Sequence, residues 1–240
     1  NFKINDMAYP IEKKLVIAVA SSALFDLTES DSIFKAQGLK AYKEYQNRNV
    51  KNPFDKGVAF PFIKRLLSLN THFPEEKPVE VILMSKNSPE TGLRAFNSIA
   101  HYGLDITRAG FTSGQPHFKY LPSFNTSLFL SANKSDVDDA IAHRLAAGMV
   151  LNTTVIDDDN DNELRIAFDF DGVLADDESE KIYQKDGLPT YQQYESERSD
   201  IPLNAGPVID LLKKISFYQK LEAKKAEQDI SYTPMLKTAI

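Results

Sequence analysis

The 240-residue chain carries 28 Lys and Arg against 34 Asp and Glu, which gives a formal net charge of −6, and 42% of its residues are hydrophobic. These are the proportions of an ordinary globular protein, and the acidic balance argues against a nucleic-acid coat protein. The absence of cysteine excludes disulfides, thiolate zinc sites, iron–sulfur clusters and a cysteine nucleophile. No apolar run approaches the roughly 18 residues that span a bilayer, and residues 1–14 lack the apolar centre of a signal peptide. We therefore predict a cytoplasmic protein with neither a nucleic-acid nor a membrane partner.

Short apolar strands alternate with amphipathic helices along the chain. The predicted strands are 15–20, 79–84, 106–112, 128–130, 164–168 and 235–240. The predicted helices are 30–47, 60–69, 89–102, 136–147, 179–194 (mixed and partly helical) and 207–225. This alternation predicts an α/β fold with parallel sheets and right-handed crossovers.

The segment 157–163 is polar and strongly acidic, and it is predicted to link a first unit, 1–156, to a second, 164–240. Asp157, Asp159 and Asp161 alternate as in a calcium-binding loop. Such a loop needs Gly at its sixth position and Glu at its twelfth, where this chain has Asn162 and Phe168. We therefore favour a solvated linker over a calcium site.

The second unit repeats the first when the chain is shifted by 149 positions without gaps. Thirteen identities then fall between positions 15 and 66, where chance gives about three. The shift places Gly38 on Gly187 and Gly57 on Gly206. A shared rhythm of strand and helix does not by itself match glycines, so we predict tandem units of one fold.

The two copies differ most where their first strands end. Asp169 and Asp171 follow the strand of the second copy, while Ala20 and Ser22 occupy the matching positions in the first. Ligands of open α/β sheets bind at the carboxyl ends of strands, and Mg²⁺ prefers carboxylate oxygens. Asp169 is suited to attack phosphorus, Asp171 to act as acid and then base, and Gly172 to a sharp turn. We therefore predict Asp169 and Asp171 as catalytic residues and Mg²⁺ ligands.

The stretch FDFDGVL at 168–174 resembles the first motif of the haloacid-dehalogenase (HAD) superfamily, a strand followed by Asp-x-Asp-Gly and Val or Thr. This resemblance implies tandem HAD-like Rossmannoid units. It implies that Asp169 is the nucleophile that forms an aspartyl phosphate and that Asp171 is the acid and base. It further implies that the Asp169 carboxylate and the Asp171 backbone carbonyl bind Mg²⁺, with a helical cap at about 176–230.

Longer stretches resemble the cytosolic 5′-nucleotidase type I family. They cover nearly the whole chain from about residue 14, at 15–31, 57–70, 79–114, 120–141 and 164–180. The chain departs from that family at 170–172, where it has Phe-Asp-Gly and animal members have Gly-Asp-Ala, but both aspartates are kept. The resemblance implies Mg²⁺-dependent hydrolysis of nucleoside 5′-monophosphates to nucleoside and phosphate.

Against the superfamily pattern, the first copy keeps phosphate-binding groups but lacks the metal carboxylates. Lys119 lies near the place of the conserved lysine of that pattern, and Ser131 and Ala132 replace its second acidic pair. We therefore predict no hydrolysis in this unit. Its turn before the helix at 89 is predicted to bind substrate or effector, with Arg94 as a further anion ligand, and simple capping of that helix is the alternative. The predicted binding residues of the turn are Ser85, Lys86, Asn87 and Ser88.

The second copy is incomplete against the same pattern. The chain begins at Asn1 rather than Met and ends at Ile240 inside an apolar run. The hydroxyl, the lysine and the second acidic pair of a working site are expected beyond Ile240, in about 80–100 further residues. We therefore predict a unit truncated at its C-terminus, or a site whose remaining groups come from elsewhere.

Other candidates are weaker. The four histidines show no metal-ligand spacing and are interpreted as hydrogen-bonded surface or core residues. They are His72, His101, His117 and His143. The lysine pairs 213–214 and 224–225 are interpreted as solvated helix faces. Three cap tyrosines, Tyr183, Tyr191 and Tyr194, are candidates for stacking on a nucleobase.

Two further functions are consistent with the sequence. A non-catalytic nucleotide-binding or scaffold protein is one, because the rest of the active site is missing from the sequence. A phosphatase for another small phosphoester is the other. Assembly as a homo-oligomer is left open as well.

Overall fold

The computed structural model describes residues 11–153 and 156–240; residues 1–10, at the start of the predicted first unit, and 154–155 lie outside the described residues. The chain divides into two compact units, Asn1–Leu164 (unit 1) and Arg165–Ile240 (unit 2). Within the described ranges, none of the helices is long and apolar enough to cross a membrane.

Unit 1 is built around a parallel five-stranded sheet with the strand order β3-β2-β1-β4-β5. The strands are β1 (Leu15–Ala20), β2 (Val79–Ser85), β3 (Arg108–Phe111), β4 (Leu128–Ser131) and β5 (Ala147–Met149). All six residues of β1 are buried. A central strand of a parallel sheet is covered on both faces, which is why its sequence is a continuous apolar run.

Helices and helical turns connect these strands. The α-helices of unit 1 are α1 (Ser21–Leu24), α2 (Thr28–Arg48), α3 (Phe60–Ser68), α4 (Pro89–His101) and α5 (Lys134–Ala142). The 3₁₀ turns are Ile11–Lys13, Leu69–His72, His117–Lys119 and Leu121–Phe124. The parallel pairing and the alternation of strands with helices confirm the predicted α/β class with a parallel central sheet.

Unit 2 pairs two strands, β6 (Leu164–Ala167) and β7 (Leu236–Ala239). Its helices are α6 (Glu178–Glu197) and α7 (Ile209–Gln228), and a π-helical turn spans Phe170–Leu174. Its apolar core centres on α7, where Ile215 and Tyr218 are fully buried.

One predicted helix is wrong in its second half. The helix predicted at 136–147 begins at Lys134, because the Asn133 side chain accepts a hydrogen bond from the Ser135 N–H, and ends at Ala142. Arg144 then adopts a left-handed conformation with φ 59°. The following residues form β5, which pairs with β4, so they belong to the edge of the sheet. A three-residue strand is too short to leave a periodic pattern in the sequence.

Both α2 and α6 contain a break at a glycine. Gly38 and Gly187 each have φ 78°, in the left-handed region that favours glycine. The break in α6 explains why Pro189 is tolerated two residues later. It lies in the first turn of the next helical segment, where a backbone N–H has no helical partner to lose. These two breaks are related by the predicted shift of 149 positions.

The turns that follow β1 and β6 do not obey that shift. The Gly57 N–H donates to the Leu24 carbonyl at 2.9 Å, and the Gly206 N–H donates to the Leu174 carbonyl at 2.8 Å. The two glycines are 149 positions apart, whereas Leu24 and Leu174 are 150 apart. The ungapped alignment is therefore wrong by one residue here, because the turn of unit 2 has five residues where α1 has four.

The acidic segment after unit 1's sheet is fixed to α3 by one arginine. The Arg65 guanidinium pairs with the Asp157 carboxylate at 2.8 Å and donates to the carbonyls of Asp161 at 2.7 Å and Asp158 at 3.0 Å. The segment is exposed, as expected of a linker, yet its backbone is held in place.

Two charged side chains of α7 are buried. Lys214 is 6% exposed beside Asp210, so the solvated-face interpretation is wrong for this residue. Glu222 is 1% exposed and accepts hydrogen bonds from the Tyr232 hydroxyl at 2.7 Å and the Met235 N–H at 2.8 Å. Sequence periodicity places both residues on α7 but does not reveal that their surroundings supply these partners.

Candidate functional site

The predicted catalytic pair lies in the turn that follows β6. Asp169 caps this turn, and its Oδ1 accepts the Phe170 N–H at 2.8 Å. Asp171 (φ −73°, ψ 130°) and Gly172 (φ 70°, ψ 1°) have the dihedrals of a type II β-turn, which needs a left-handed residue at its third position. The predicted sharp turn at Gly172 is thus confirmed. Both aspartates are exposed to solvent.

The turn after β6 offers two carboxylates to a hard cation, which is fewer ligands than a complete protein site would supply. Among the described residues, no group of three or more His, Asp or Glu side chains is placed to hold a metal ion. Mg²⁺ commonly takes one or two protein carboxylates and completes its shell with water and phosphate oxygens. Asp169 and Asp171 fit that smaller requirement by ligand type, and their roles as metal ligands and catalytic residues stay predictions.

A second polar site lies in unit 1. A pocket of about 940 Å³ opens at the carboxyl ends of β1, β2, β4 and β5, where ligands of parallel sheets bind. Three of the four predicted substrate-binding residues line it, namely Ser85, Lys86 and Asn87. Ser88, which precedes α4, is not among the residues that line it.

Buried hydroxyl groups form one wall of this pocket. The Ser21 and Ser85 Oγ atoms are 3.1 Å apart, and the Asn87 N–H donates to the Ser85 Oγ at 3.2 Å. Tyr42 of α2 donates its hydroxyl to the Asn87 Oδ1 at 2.8 Å, which fixes the turn. Sequence reasoning considered Ala20 and Ser22 at this strand end and missed Ser21. Its only signal was its position directly after β1.

A histidine, an aspartate and a lysine meet at the base of the pocket. His117 is 3% exposed, and neither of its ring nitrogens has a hydrogen-bond partner. Its Nδ1 is 3.7 Å from the Asp136 Oδ2, and the Lys86 ammonium pairs with the other oxygen of Asp136. Burial lowers the pKa of His117; Asp136 opposes this, and Lys86 adds to it. The interpretation of this histidine as hydrogen-bonded is therefore wrong.

Two other residues predicted for anion binding lie elsewhere. Lys119 is exposed and is not among the residues that line the pocket. Arg94 is buried, donates its Nε–H to the Asn52 carbonyl at 2.7 Å, and lies over the Phe54 ring at 4.0 Å from the ring centre. It binds α4 to the loop after α2, so its predicted role as an anion ligand in this pocket is wrong.

The remaining sequence candidates are on the surface. The His143 Nδ1 lies 2.7 Å from the Asp139 carbonyl, and its ring stacks on Phe118. Tyr183 is half exposed and packs edge-on against Tyr191. Stacking of these tyrosines on a nucleobase stays a prediction.

This chain has recognisable relatives among known proteins. A family model described as 5′-nucleotidase matches residues 7–240. The chain belongs to the 5′-nucleotidase family. It is similar to cytosolic 5′-nucleotidase 1B of Homo sapiens, with 33% identity over 219 residues that cover 89% of this chain and 36% of that protein. The chain thus spans about a third of the length of that curated relative. No solved structure matches it.

Membership of the 5′-nucleotidase family confirms the resemblance drawn from the sequence. The match extends over both units, so it covers the pocket of unit 1 as well as the Asp169–Asp171 turn. The two sites differ in chemistry. One offers exposed carboxylates, and the other offers hydroxyls, an ammonium group and a buried imidazole.

Proposed function

We propose that this chain is part of a Mg²⁺-dependent 5′-nucleotidase that hydrolyses nucleoside 5′-monophosphates to nucleoside and phosphate. The observation that carries the proposal is the Asp169–Asp171 pair on a type II turn at Gly172, directly after β6, in a member of the 5′-nucleotidase family. That position, at the end of a strand, is where α/β folds bind their ligands.

The chemistry that we assign to the pair proceeds in two steps. In the first, an Asp169 carboxylate oxygen forms a bond to phosphorus as the bond from phosphorus to the 5′-oxygen breaks. Asp171 gives its proton to that oxygen, and the nucleoside leaves. In the second step, water attacks the aspartyl phosphate and gives its proton to Asp171, which releases phosphate and restores both side chains. The Phe170 N–H orients Asp169 by holding its Oδ1.

The metal is assigned to the same two residues. Mg²⁺ would neutralise part of the phosphate charge, and the Asp169 carboxylate and the Asp171 backbone carbonyl would hold it, which leaves the Asp171 carboxyl free for proton transfer. Exposure of both carboxylates leaves room for water and phosphate oxygens to complete the shell.

Substitution of the nucleophile tests the proposal. We expect Asp169→Asn to abolish phosphate release from AMP, IMP and dCMP while the fold is kept, because an amide is a poor nucleophile towards phosphorus. Asp186→Asn is the matched control, since it removes the same charge from an exposed carboxylate of unit 2. The assay is run with and without Mg²⁺, on this chain and on the full-length gene product. Substantial turnover by Asp169→Asn would overturn the assignment.

A second candidate is a non-catalytic nucleotide-binding protein. The pocket of unit 1 favours this candidate. Ala20 and Ser22 stand at the end of β1, and neither has the carboxylate that hydrolysis would need. The same assay distinguishes the two, since a binding protein releases no phosphate in any variant. Turnover of other phosphoesters in preference to all three nucleotides would instead indicate a phosphatase of different specificity.

A further inference from the structure

We propose that the pocket of unit 1 is a separate binding site for a nucleoside monophosphate, which it holds without hydrolysing. The pocket has a volume of about 940 Å³, within the range of sites for small molecules, and lies wholly among residues of unit 1. The inference does not depend on hydrolysis by Asp169, because no residue of unit 2 lines the pocket.

The deep end of the pocket suits a phosphate group. Ser21 and Ser85 present hydroxyls at the ends of adjacent strands, and Lys86 follows in the turn that leads into α4. Asn133 and Lys134, at the start of α5, line the opposite side. The N-terminus of α5 therefore borders the pocket, where its partial positive charge favours an anion.

The buried imidazole of His117 independently indicates a missing ligand. Its ring lines the pocket at 3% exposure with neither nitrogen hydrogen-bonded. A buried polar group without a partner costs free energy, so such groups usually have an explanation. A phosphate oxygen beside the ring would accept a hydrogen bond from it. The Lys86 ammonium, now paired with Asp136, lies close enough to that carboxylate to be shared with the same phosphate.

The charged side chains that line the pocket balance in sign. Three cationic and three anionic side chains line it: Lys56, Lys86, Lys134, Asp26, Asp31 and Asp136. Asp26 precedes α2 and Asp31 lies in its first turn, whereas Asp136 is already paired with Lys86. Because Ala20 and Ser22 replace the aspartates of unit 2, no carboxylate at the end of β1 repels a phosphate.

The mouth of the pocket suits a nucleoside. Met149 and Leu151 line the pocket with 43% and 66% of their surface exposed, and Val58, which is 37% exposed, lines it too. Apolar side chains at the mouth of a polar pocket fit a ligand with an apolar face and a charged end. A nucleoside monophosphate has both. Inorganic phosphate has only the charged end and would leave these side chains exposed.

Binding to the chain that carries Asp169→Asn tests the inference, since this change removes turnover by unit 2 and leaves unit 1 intact. Titration calorimetry compares the affinity for AMP with the affinities for its two parts, adenosine and inorganic phosphate. We expect AMP to bind at least tenfold more tightly than either fragment. AMP that fails to bind at millimolar concentration would overturn the proposal, and phosphate that binds as tightly as AMP would overturn its nucleoside part.

Substitutions in the pocket locate the site. In the same background, we expect Ser85→Ala and Lys86→Ala each to weaken AMP binding by about tenfold or more, because each removes a partner of a charged group. Lys119→Gln is the matched control for charge, as an exposed lysine outside the pocket, and should change affinity less than twofold. Lys86→Ala also leaves Asp136 unpaired. If that unfolds the protein, Ser85→Ala alone tests the location of the site. Equal affinity in Ser85→Ala and Lys119→Gln would place the site elsewhere and refute the inference.

Discussion

The turn after β1 and the turn after β6 have similar backbone surroundings but carry different functional groups. We call these surroundings the frame: an extended residue begins each turn, and a glycine N–H bonds to the leucine that closes it. Ala20 and Asp169 each begin their turn with nearly the same extended dihedrals. In unit 1, four helical residues ending at Leu24 follow, and their hydroxyls face a pocket. In unit 2, five residues ending at Leu174 follow, and the extra residue allows the type II turn at Gly172.

This difference shows that the chemistry of each unit is set within a single turn. The frame around the turns is common, since Gly57 and Gly206 each donate a hydrogen bond to the leucine that closes the turn. The turns differ by one inserted residue, by a left-handed glycine and by aspartates in place of alanine and serine, and these local changes exchange a serine-lined wall for exposed carboxylates. This comparison can be tested by substituting the two glycines that the turns share, and then by substituting polar side chains that occur in only one of the units.

The two frame glycines should give the largest effect. A methyl group at Gly57 would lie 2.6 Å from the Ala23 carbonyl oxygen, and one at Gly206 would lie 2.3 Å from the Val173 carbonyl oxygen. Backbone cannot move aside as a side chain can, so each Gly→Ala change should lower the free energy of unfolding by about 3 kcal/mol. Gly148→Ala is the control, since its methyl group meets only the Leu130 side chain at 3.4 Å.

Urea titration of the three variants measures this prediction. Equal losses at Gly57 and Gly206 would support a common frame, and a loss at only one of them would break the comparison. We further expect Gly206→Ala to reduce the proposed phosphate release, because it displaces the turn that carries Asp171.

The polar core of α7 should give the next largest effect. Glu222 accepts hydrogen bonds from the Tyr232 hydroxyl and from the N–H groups of Met235 and Leu236, which fixes the start of β7. Glu222→Gln would turn an amide donor toward one of these donors, at a cost of about 2 kcal/mol. Glu227→Gln, on the same helix but exposed, should change the free energy of unfolding little. If thermal melts place the two variants together, the carboxylate does not stabilise unit 2.

The sequence predicted those features that depend on local pattern. β1 and β2 are continuous apolar runs between polar segments, α4 begins at Pro89 after Ser88, and Gly172 follows a strand. Each of these features follows from backbone chemistry or from burial on both faces of a sheet. The matched glycines Gly38 and Gly187 both lie at helix breaks with φ 78°, while the tandem arrangement of two units of one fold stays a prediction.

Features that depend on tertiary neighbours could not be predicted. Ser21 becomes part of a site only because β2 places Ser85 beside it, and the burial of His117 depends on the elements that surround its 3₁₀ turn. The extra residue in the turn after β6 was not detected from the sequence. Identities on both sides of that turn fit the offset of 149 positions, so an alignment without gaps matched the two copies well. Lys214 was assigned to a solvated face since a lysine is rarely buried without a partner.

The free energy of unfolding should depend on pH through His117 of unit 1. The ordinary pKa of this group is 6.5, and burial lowers it in the folded state despite the nearby Asp136. The unfolded chain therefore binds a proton at a higher pH than the folded chain does, so the free energy of unfolding should fall as the pH drops below about 6.5. His117→Gln removes this contribution and should flatten the stability profile between about pH 7 and pH 5.

Chemical denaturation at several pH values measures the effect. His143→Gln serves as control, because it removes an imidazole from an exposed position. A wild-type profile that matches the His117→Gln profile would show that the folded chain takes up this proton as readily as the unfolded chain.

The smallest effect should come from the acidic segment that leads from one unit to the next. The Arg65 guanidinium, which is 15% exposed, holds Asp157 and two backbone carbonyls, whereas Lys64 meets Asp159 only at the surface. Arg65→Lys keeps the charge but loses the fork of donors, so it should loosen the segment by about 1 kcal/mol, seen as roughly fivefold faster amide hydrogen exchange at 157–163. Lys64→Gln should leave exchange unchanged, because exposed ion pairs contribute little. Faster exchange in Lys64→Gln but not in Arg65→Lys would mean that net charge holds the segment, and the distinction between a forked and a single contact would be lost.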